Sequence, residues 1–437
     1  KNYTINPNEN KVFYRIGRML KKFLLIIMCA YLRSCEFITS VKWQAESEYA
    51  ARRAAEERAI KTDRVLPDTI EPGAFLAGVL AKEKNDWEKA TSYFQKVLTQ
   101  DSGNDDLRIQ TYLLSLILGN FTVADTLSES LNLNKESDWF VRQVHRADLF
   151  AARKYEAIVS SDFDPQNTAD ALLTAFFKSW TFAALGKEKE ALNTLESIKK
   201  DQVLSPLYWY QKGLIHLYFK QETLADSAFQ QLKVSGVPNA SAWHAVRRFY
   251  ETRGRWGKEN PLYQDYMAFF TQKPALNQLL TELMPAQLDT PDKALSEAIY
   301  SVSTLVGEED GFAALALNAA ALRLNPDYDL IKILSAEILD NMGNYKQAAQ
   351  YYNRIGKLSG LNFLKKGLSF QKAGMHDKAL PVFQKLISEN PKNALLYRLA
   401  AESFVALNQL DLALNYYSYA ILNSLYETNK NELADMY

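Results

Sequence analysis

Arg247, Arg248, Arg253 and Arg255 cluster with His244 near the middle of the chain. Guanidinium groups grip phosphate or carboxylate through charge-assisted hydrogen bonds, so this cluster is a candidate anion or acidic-peptide patch. The competing reading is a solvated face neutralised by local carboxylates such as Glu251 and Glu259. The other groups with chemical potential are dispersed. His145, His216, His244 and His376 are far apart and none stands in a Glu-x-x-His arrangement, so no metal site is expected. His216 falls where a packing residue is usual and reads as a hydrogen-bonded core histidine.

Catalytic and cofactor motifs are missing from the sequence. It lacks the glycine spacings that cradle a dinucleotide or a nucleoside triphosphate, and it lacks Gly-x-Ser-x-Gly. Ser197 and Lys200 have Ser-x-x-Lys spacing, which arises by chance on helices. Carboxylates form no obvious acid/base couple. The expectation is therefore a non-enzymatic protein without cofactor.

Bulk composition narrows the class further. The 51 Lys and Arg residues balance 51 Asp and Glu, which argues against a nucleic-acid binder that neutralises many phosphates. Only Cys29 and Cys35 are present, both near the N-terminus, so no disulfide framework holds the body together. From Met19, Lys21 and Lys22 precede an apolar run from Phe23 to Leu32, the outline of an export signal or membrane anchor. Residues 1–42 are read as that segment, with an exported or anchored protein expected and a cytoplasmic one as the alternative. The Cys35 context, Leu32-Arg33-Ser34-Cys35, resembles a lipoprotein processing site except at Arg33. Residues 43–70, rich in Ala, Glu and Arg, read as a charged capping helix and linker that breaks at Pro67 and Pro72.

The elements that must position any site recur with a period of about 34 residues from residue 71 onward. Small residues recur where two helices must approach closely, turn residues where the chain reverses, and an aromatic in the second helix. Gly78, Asn85, Trp87, Ala90 and Phe94 show the set in unit 71–104; Trp209, Gly213, Ala225 and Phe229 show it in unit 206–239; Gly367, Gly374, Ala379, Phe383 and Pro391 show it in unit 360–393. Residues 71–273 form an N-terminal array of about six units, the last irregular because Glu259 and Pro261 interrupt its second helix. Residues 274–294, with Pro274, Pro285 and Pro291, read as a connector; 295–427 form a C-terminal array of about four units, and 428–437 a tail. No stretch alternates with period two, so the fold class is all-α with essentially no sheet.

In this register residues 71–427 resemble the tetratricopeptide-repeat proteins. The run Gly73-Ala74-Phe75-Leu76-Ala77-Gly78 and the stretch 313–421 further resemble exported alphaproteobacterial repeat proteins. The resemblance implies a right-handed α-solenoid that scaffolds complexes by holding a peptide or helix in its concave groove. The positions that would line the groove are apolar: Ile109, Leu113, Leu116 and Ile117; Phe140 and Phe150; Phe176 and Trp180; Tyr210, Leu214, Leu217 and Tyr218. A second apolar face on the first helix of each pair needs a cover. A partner's amphipathic helix, the chain's own N-terminal helix or the 255–290 segment are the candidates, and plain core packing is the competing reading. Phe75, Val79, Ile109 and Leu113 replace the Lys and Asn of a carboxylate clamp, which disfavours chaperone tails. The C-terminal groove is mixed, with Glu337, Asp340, Arg398 and Glu402. The implied partner is another protein, in a transient complex or as a permanent subunit of an oligomer.

Overall fold

The computed structural model describes residues 72–434, apart from 132, 134–136, 162–166, 200–203, 273–287, 308, 357 and 359, with side chains described through Ser424. The chain divides into two units, Lys1–Ile70 and Glu71–Tyr437. The expectations for an export segment, for Cys35 and for the capping helix fall outside the described residues.

The second unit is a succession of helical hairpins. The first run comprises α1 (Pro72–Glu83) with α2 (Trp87–Gln100), α3 (Asp105–Leu118) with α4 (Phe121–Ser128), α5 (Trp139–Ala151) with α6 (Tyr155–Val159), and α7 (Thr168–Ala184) with α8 (Glu188–Leu195). It continues through α9 (Ser205–Tyr218) with α10 (Glu222–Gln230) and the single turn α11 (Leu232–Ser235), then α12 (Ala240–Glu251) with α13 (Tyr263–Thr271). The second run comprises α14 (Pro291–Val306) with α15 (Gly311–Leu324), α16 (Asp329–Asn341) with α17 (Tyr345–Asn353), α18 (Gly360–Lys372) with α19 (His376–Glu389), and α20 (Ala394–Ala406) with α21 (Leu410–Ala434). The described residues contain no strand.

Local chemistry explains the boundaries. Asn104, Asn120, Asn167, Asn239, Asp310 and Asn344 each cap a helix by accepting a backbone N–H from its first turn, a contact worth about 1 kcal/mol. The hairpin turns need left-handed backbone, and Asn85, Gly119, Gly186, Gly343, Gly374 and Asn408 supply it with φ between 58° and 77°. Arg153 takes the same conformation (φ 59°) in the turn between α5 and α6. The connector expected over 274–294 ends early. Thr290 caps and Pro291 opens α14, because proline at the first helical position loses no hydrogen bond.

Small residues act as the repeat pattern requires. Gly78 lies against the Phe94 ring, Gly213 against Phe229 and Gly367 against Phe383, and in each case an added methyl would land on the ring.

The second run does not continue as a separate array. α14 and α15 turn back and pack along the first run, α15 against α3 and α5, and α14 against α7 and α9. Phe312, at the start of α15, stands edge-on to Trp87 and Phe140 at 6.1 and 6.4 Å. The Tyr351 hydroxyl donates to the Ile117 carbonyl at 2.7 Å and Arg354 Nη2 to Leu118 at 2.8 Å, so α17 and its end satisfy the last carbonyls of α3. Lys346 and Gln350 hold Glu88 at 2.5 and 3.0 Å, and Arg153 pairs with Asp292 at 2.8 Å. The first run and α14–α17 thus form one body, from which α18–α21 continue as an open array.

Replacing Gly213 with Ala should destabilise the chain by about 1–3 kcal/mol, because the buried Phe229 ring has nowhere to move. Gly257→Ala, where a methyl meets open space, should stay within about 0.5 kcal/mol. Urea midpoints compare the two; equal midpoints would remove the steric role assigned to Gly213.

Candidate functional site

Most of the twelve residues expected to line a partner groove are buried inside the fold. Leu113, Leu116 and Ile117 on α3, Phe140 and Phe150 on α5, Phe176 and Trp180 on α7, and Tyr210 and Leu214 on α9 are buried, and Ile109, Leu217 and Tyr218 are half-buried. α14 and α15 of the same chain pack along the helices that carry them. Phe140 meets Phe312, and the Tyr210 hydroxyl reaches Glu297 on α14 at 3.4 Å. This corrects the expectation of an open groove over 105–239. The physical reason lies in α15, where Ala313–Leu322 and Leu324 are buried except Arg323. A helix apolar on every side must be enclosed on every side, and the inner faces of α3 and α5 enclose it.

Two polar clusters sit within this junction. The first centres on Glu297, fully buried, which accepts from Tyr328, from Ser241 at 3.1 Å and from Tyr210 at 3.4 Å. Burial pushes its carboxyl up to about 7, against the pull of those three hydroxyl donors. The second centres on Arg323, which bridges Asp148 on α5 at 3.1 Å and Asp125 on α4. Asp148 also accepts from the Tyr112 hydroxyl at 2.5 Å. Burial raises its carboxyl to about 6, although Tyr112 and Arg323 both favour the charged form. Neither cluster was legible in the sequence, since each joins residues far apart in the chain.

The Arg247, Arg248, Arg253 and Arg255 patch is engaged within the fold. Arg247 Nε holds Glu251 at 2.6 Å and its Nη1 donates to Tyr266 at 2.7 Å. Arg253 pairs with Glu222 at 2.7 Å and Arg255 with Asp226 at 2.5 Å, both on α10, and Arg248 also has a partner. His244 is buried, edge-on to Phe270 at 5.5 Å. The expected anion patch is therefore engaged inside the fold: Arg247 pairs with the anticipated Glu251 within α12 and reaches α13, while Arg253 and Arg255, in the turn after α12, pair with Glu222 and Asp226 on α10. His216 shares a hydrogen bond with Gln221 at 2.8 Å. Among the described residues, no three His, Cys, Asp or Glu side chains are placed to hold a metal.

The polar positions of the C-terminal groove pair locally: Lys365 with Glu337 at 2.5 Å, Lys372 with Asp340 at 3.1 Å, and Arg398 with Glu402 at 2.6 Å. The surface left without a cover lies beyond them. Leu395, Val405, Leu407, Leu410, Leu412, Leu414, Tyr419, Ile421 and Leu422 are all exposed on α20, α21 and the turn between them. Sequence periodicity counted these as ordinary repeat positions, and among the described residues no helix covers them.

A family model for the tetratricopeptide repeat matches residues 362–393, the α18–α19 hairpin. Residues 362–393 are thus a tetratricopeptide repeat. The same hairpin geometry, glycine against aromatic ring, recurs in this protein at Gly78 and Gly213 far outside the matched segment. Solved structures similar to the repeat protein include Cut9 with Hcn1 from an APC/C hetero-tetramer, 14% identical over 80% of this chain and 78% of that chain, with a TM-score of 0.25. Yeast Tom70 is 12% identical over 92% of this chain and 96% of that one, TM-score 0.24. The Naa15/Naa10 complex with HypK gives 13% identity, 83% and 66% coverage, and a TM-score of 0.31. No curated protein matches the chain. Global superposition on these structures is poor, and the assignment rests on the matched hairpin and the repeated geometry.

Glu297 gives this repeat protein a pH signature. A carboxyl with a folded pKa near 7 and an ordinary value of 4.5 holds its proton more tightly when folded. Stability therefore falls as pH rises from about 4.5 to about 7 and stays low above that window. Glu297→Gln keeps the shape and removes the charge, so it should flatten this slope and stabilise the protein at pH 8 by up to about 3 kcal/mol. Urea unfolding at pH 5, 6.5 and 8 measures it; a variant less stable at pH 8 with an unchanged slope would contradict the assignment.

Proposed function

We propose that this repeat protein is a non-enzymatic interaction scaffold whose docking surface is the open face of α20–α21. The observation that supports the reading is the concentration of large exposed apolar side chains there, from Leu395 to Leu422, in a chain whose sequence-expected groove is filled. Monomeric proteins seldom leave so many contiguous apolar groups in water without a partner to cover them. The occupant we assign is a helix, because a repeat array extends by stacking helix on helix and offers the next helix the same kind of face it has just used. A permanent subunit of a larger assembly uses the same face. Lys21, Lys22 and the apolar run from Phe23 to Leu32 support export or membrane anchoring of the scaffold.

The double variant Leu414→Asp with Ile421→Asp should lose the protein crosslinked to the full-length chain in its native cells, once that protein is identified by mass spectrometry and its binding reconstituted with purified components. Its circular dichroism should match the unmodified chain, and Leu224→Asp, exposed on α10, should retain the partner. Equal recovery with both variants would remove the docking face.

A further inference from the structure

The junction between α19 and α20 is a template for what the open end lacks. There Leu380 and Phe383 of α19 share a buried cluster with Leu399, Ala400 and Phe404 of α20, and Ile387 packs against it. Gln371 of α18 completes the junction by donating to the Leu399 carbonyl at 2.9 Å and the Ser403 hydroxyl at 3.1 Å. One repeat later the same register places hold Leu414 for Leu380, Ile421 for Ile387 and Val405 for Gln371. Leu380 is 8% exposed, whereas Leu414 is 65% and Ile421 60% exposed. α21 therefore presents the register places that α19 buries, and among the described residues no helix covers them.

A helix of the matching kind stands at the other end of the array. In unit 71–104, α1 holds Leu76 and Leu80 at the register places of Leu399 and Ser403. Leu76 is 64% and Leu80 49% exposed, while Gly78 and Ala81 of the same helix are buried against α2. The two open ends also match in chemistry. Inside the array a polar pair, Gln371 with Ser403, closes the junction; at the ends both members of the equivalent pair are apolar, Val405 on one side and Leu80 on the other. Apolar against apolar is stable at a buried contact, whereas either one opposite Gln or Ser would strand a polar group.

We infer that the helix seated on the α21 face is α1 of a second copy, so that copies of this chain stack head to tail. The inference rests on the reading of that face as the docking surface and names its occupant. A head-to-tail contact is heterologous: it leaves a free end on each copy and builds a row rather than a closed pair.

The test uses the full chain with Cys29→Ser and Cys35→Ser, carrying either Leu76→Cys or Leu414→Cys. Mild oxidation of a mixture of the two should give a crosslinked pair at least about tenfold above the mixture of Leu414→Cys with Val234→Cys, an exposed site off both faces, because docking raises the local concentration of the partnered thiols. The chain carrying both Leu76→Cys and Leu414→Cys should give a ladder of higher species. Leu414→Cys crosslinking to itself would overturn the inference in favour of symmetric pairing through α21. A chain that light scattering shows to be monomeric, with crosslinking no better than the Val234→Cys control, would overturn it too. If the Leu414→Asp and Ile421→Asp double variant still loses a reconstituted partner in that case, the docking face stands and only its occupant changes.

Discussion

The enclosure of α15 is the constraint from which the rest of the architecture follows. Ala313, Ala314, Leu315, Ala316, Leu317, Ala319, Ala320, Ala321, Leu322 and Leu324 occupy every side of one helix and all are buried. Burying each leucine is worth about 1.5–3 kcal/mol, so exposing four would cost roughly 6–12 kcal/mol, an upper estimate that rivals the whole stability of an ordinary domain. α15 is therefore core and not a lid. Its enclosure fixes where α14 must run, and with them α7 and α9 lose the free inner face that a simple superhelix would keep. The polar contacts set the register of this closure: Ser296 to the Ala321 carbonyl and Ser303 to Asn318 lock α14 onto α15, and Asn239 to Ser301 ties α14 to the end of the first run.

Much of the local structure was legible because its causes are local. Asn85, Gly119 and Gly343 mark turns since few residues tolerate left-handed backbone, and Gly78, Gly213 and Gly367 mark close helix contacts since only hydrogen fits beside the facing ring. The packing of α14 and α15 along the helices that carry the apolar set Ile109 to Tyr218 was not legible, because a repeat period carries no information about which distant repeat folds back. One signal was available: the stretch from Gly311 to Leu324 has no polar face, unlike the amphipathic helices around it. For the arginine patch, the alternative of pairing with local carboxylates holds at Arg247 with Glu251. The partners of Arg253 and Arg255, Glu222 and Asp226, lie one hairpin earlier in sequence and only folding brings them together.

Closure also decides which surface is left for function. Repeat arrays recognise partners with whatever helix face they do not bury against themselves. In this protein the inner face of the first run is consumed by folding, Arg247, Arg253 and Arg255 by Glu251, Glu222 and Asp226, and Glu337 and Asp340 by Lys365 and Lys372. The apolar residues of α20–α21 stay exposed and continue the stacking direction of the matched α18–α19 hairpin.

Hydrogen exchange of the native full-length chain tests the closure most directly. Backbone amides of Ala313–Leu324 should exchange only through global unfolding, with the same free energy as α3 and α5 that pack against them. Exchange of Ala313–Leu324 through a lower-energy opening, while α3 and α5 stay protected, would show that the first run stands without its internal cover and would contradict the account.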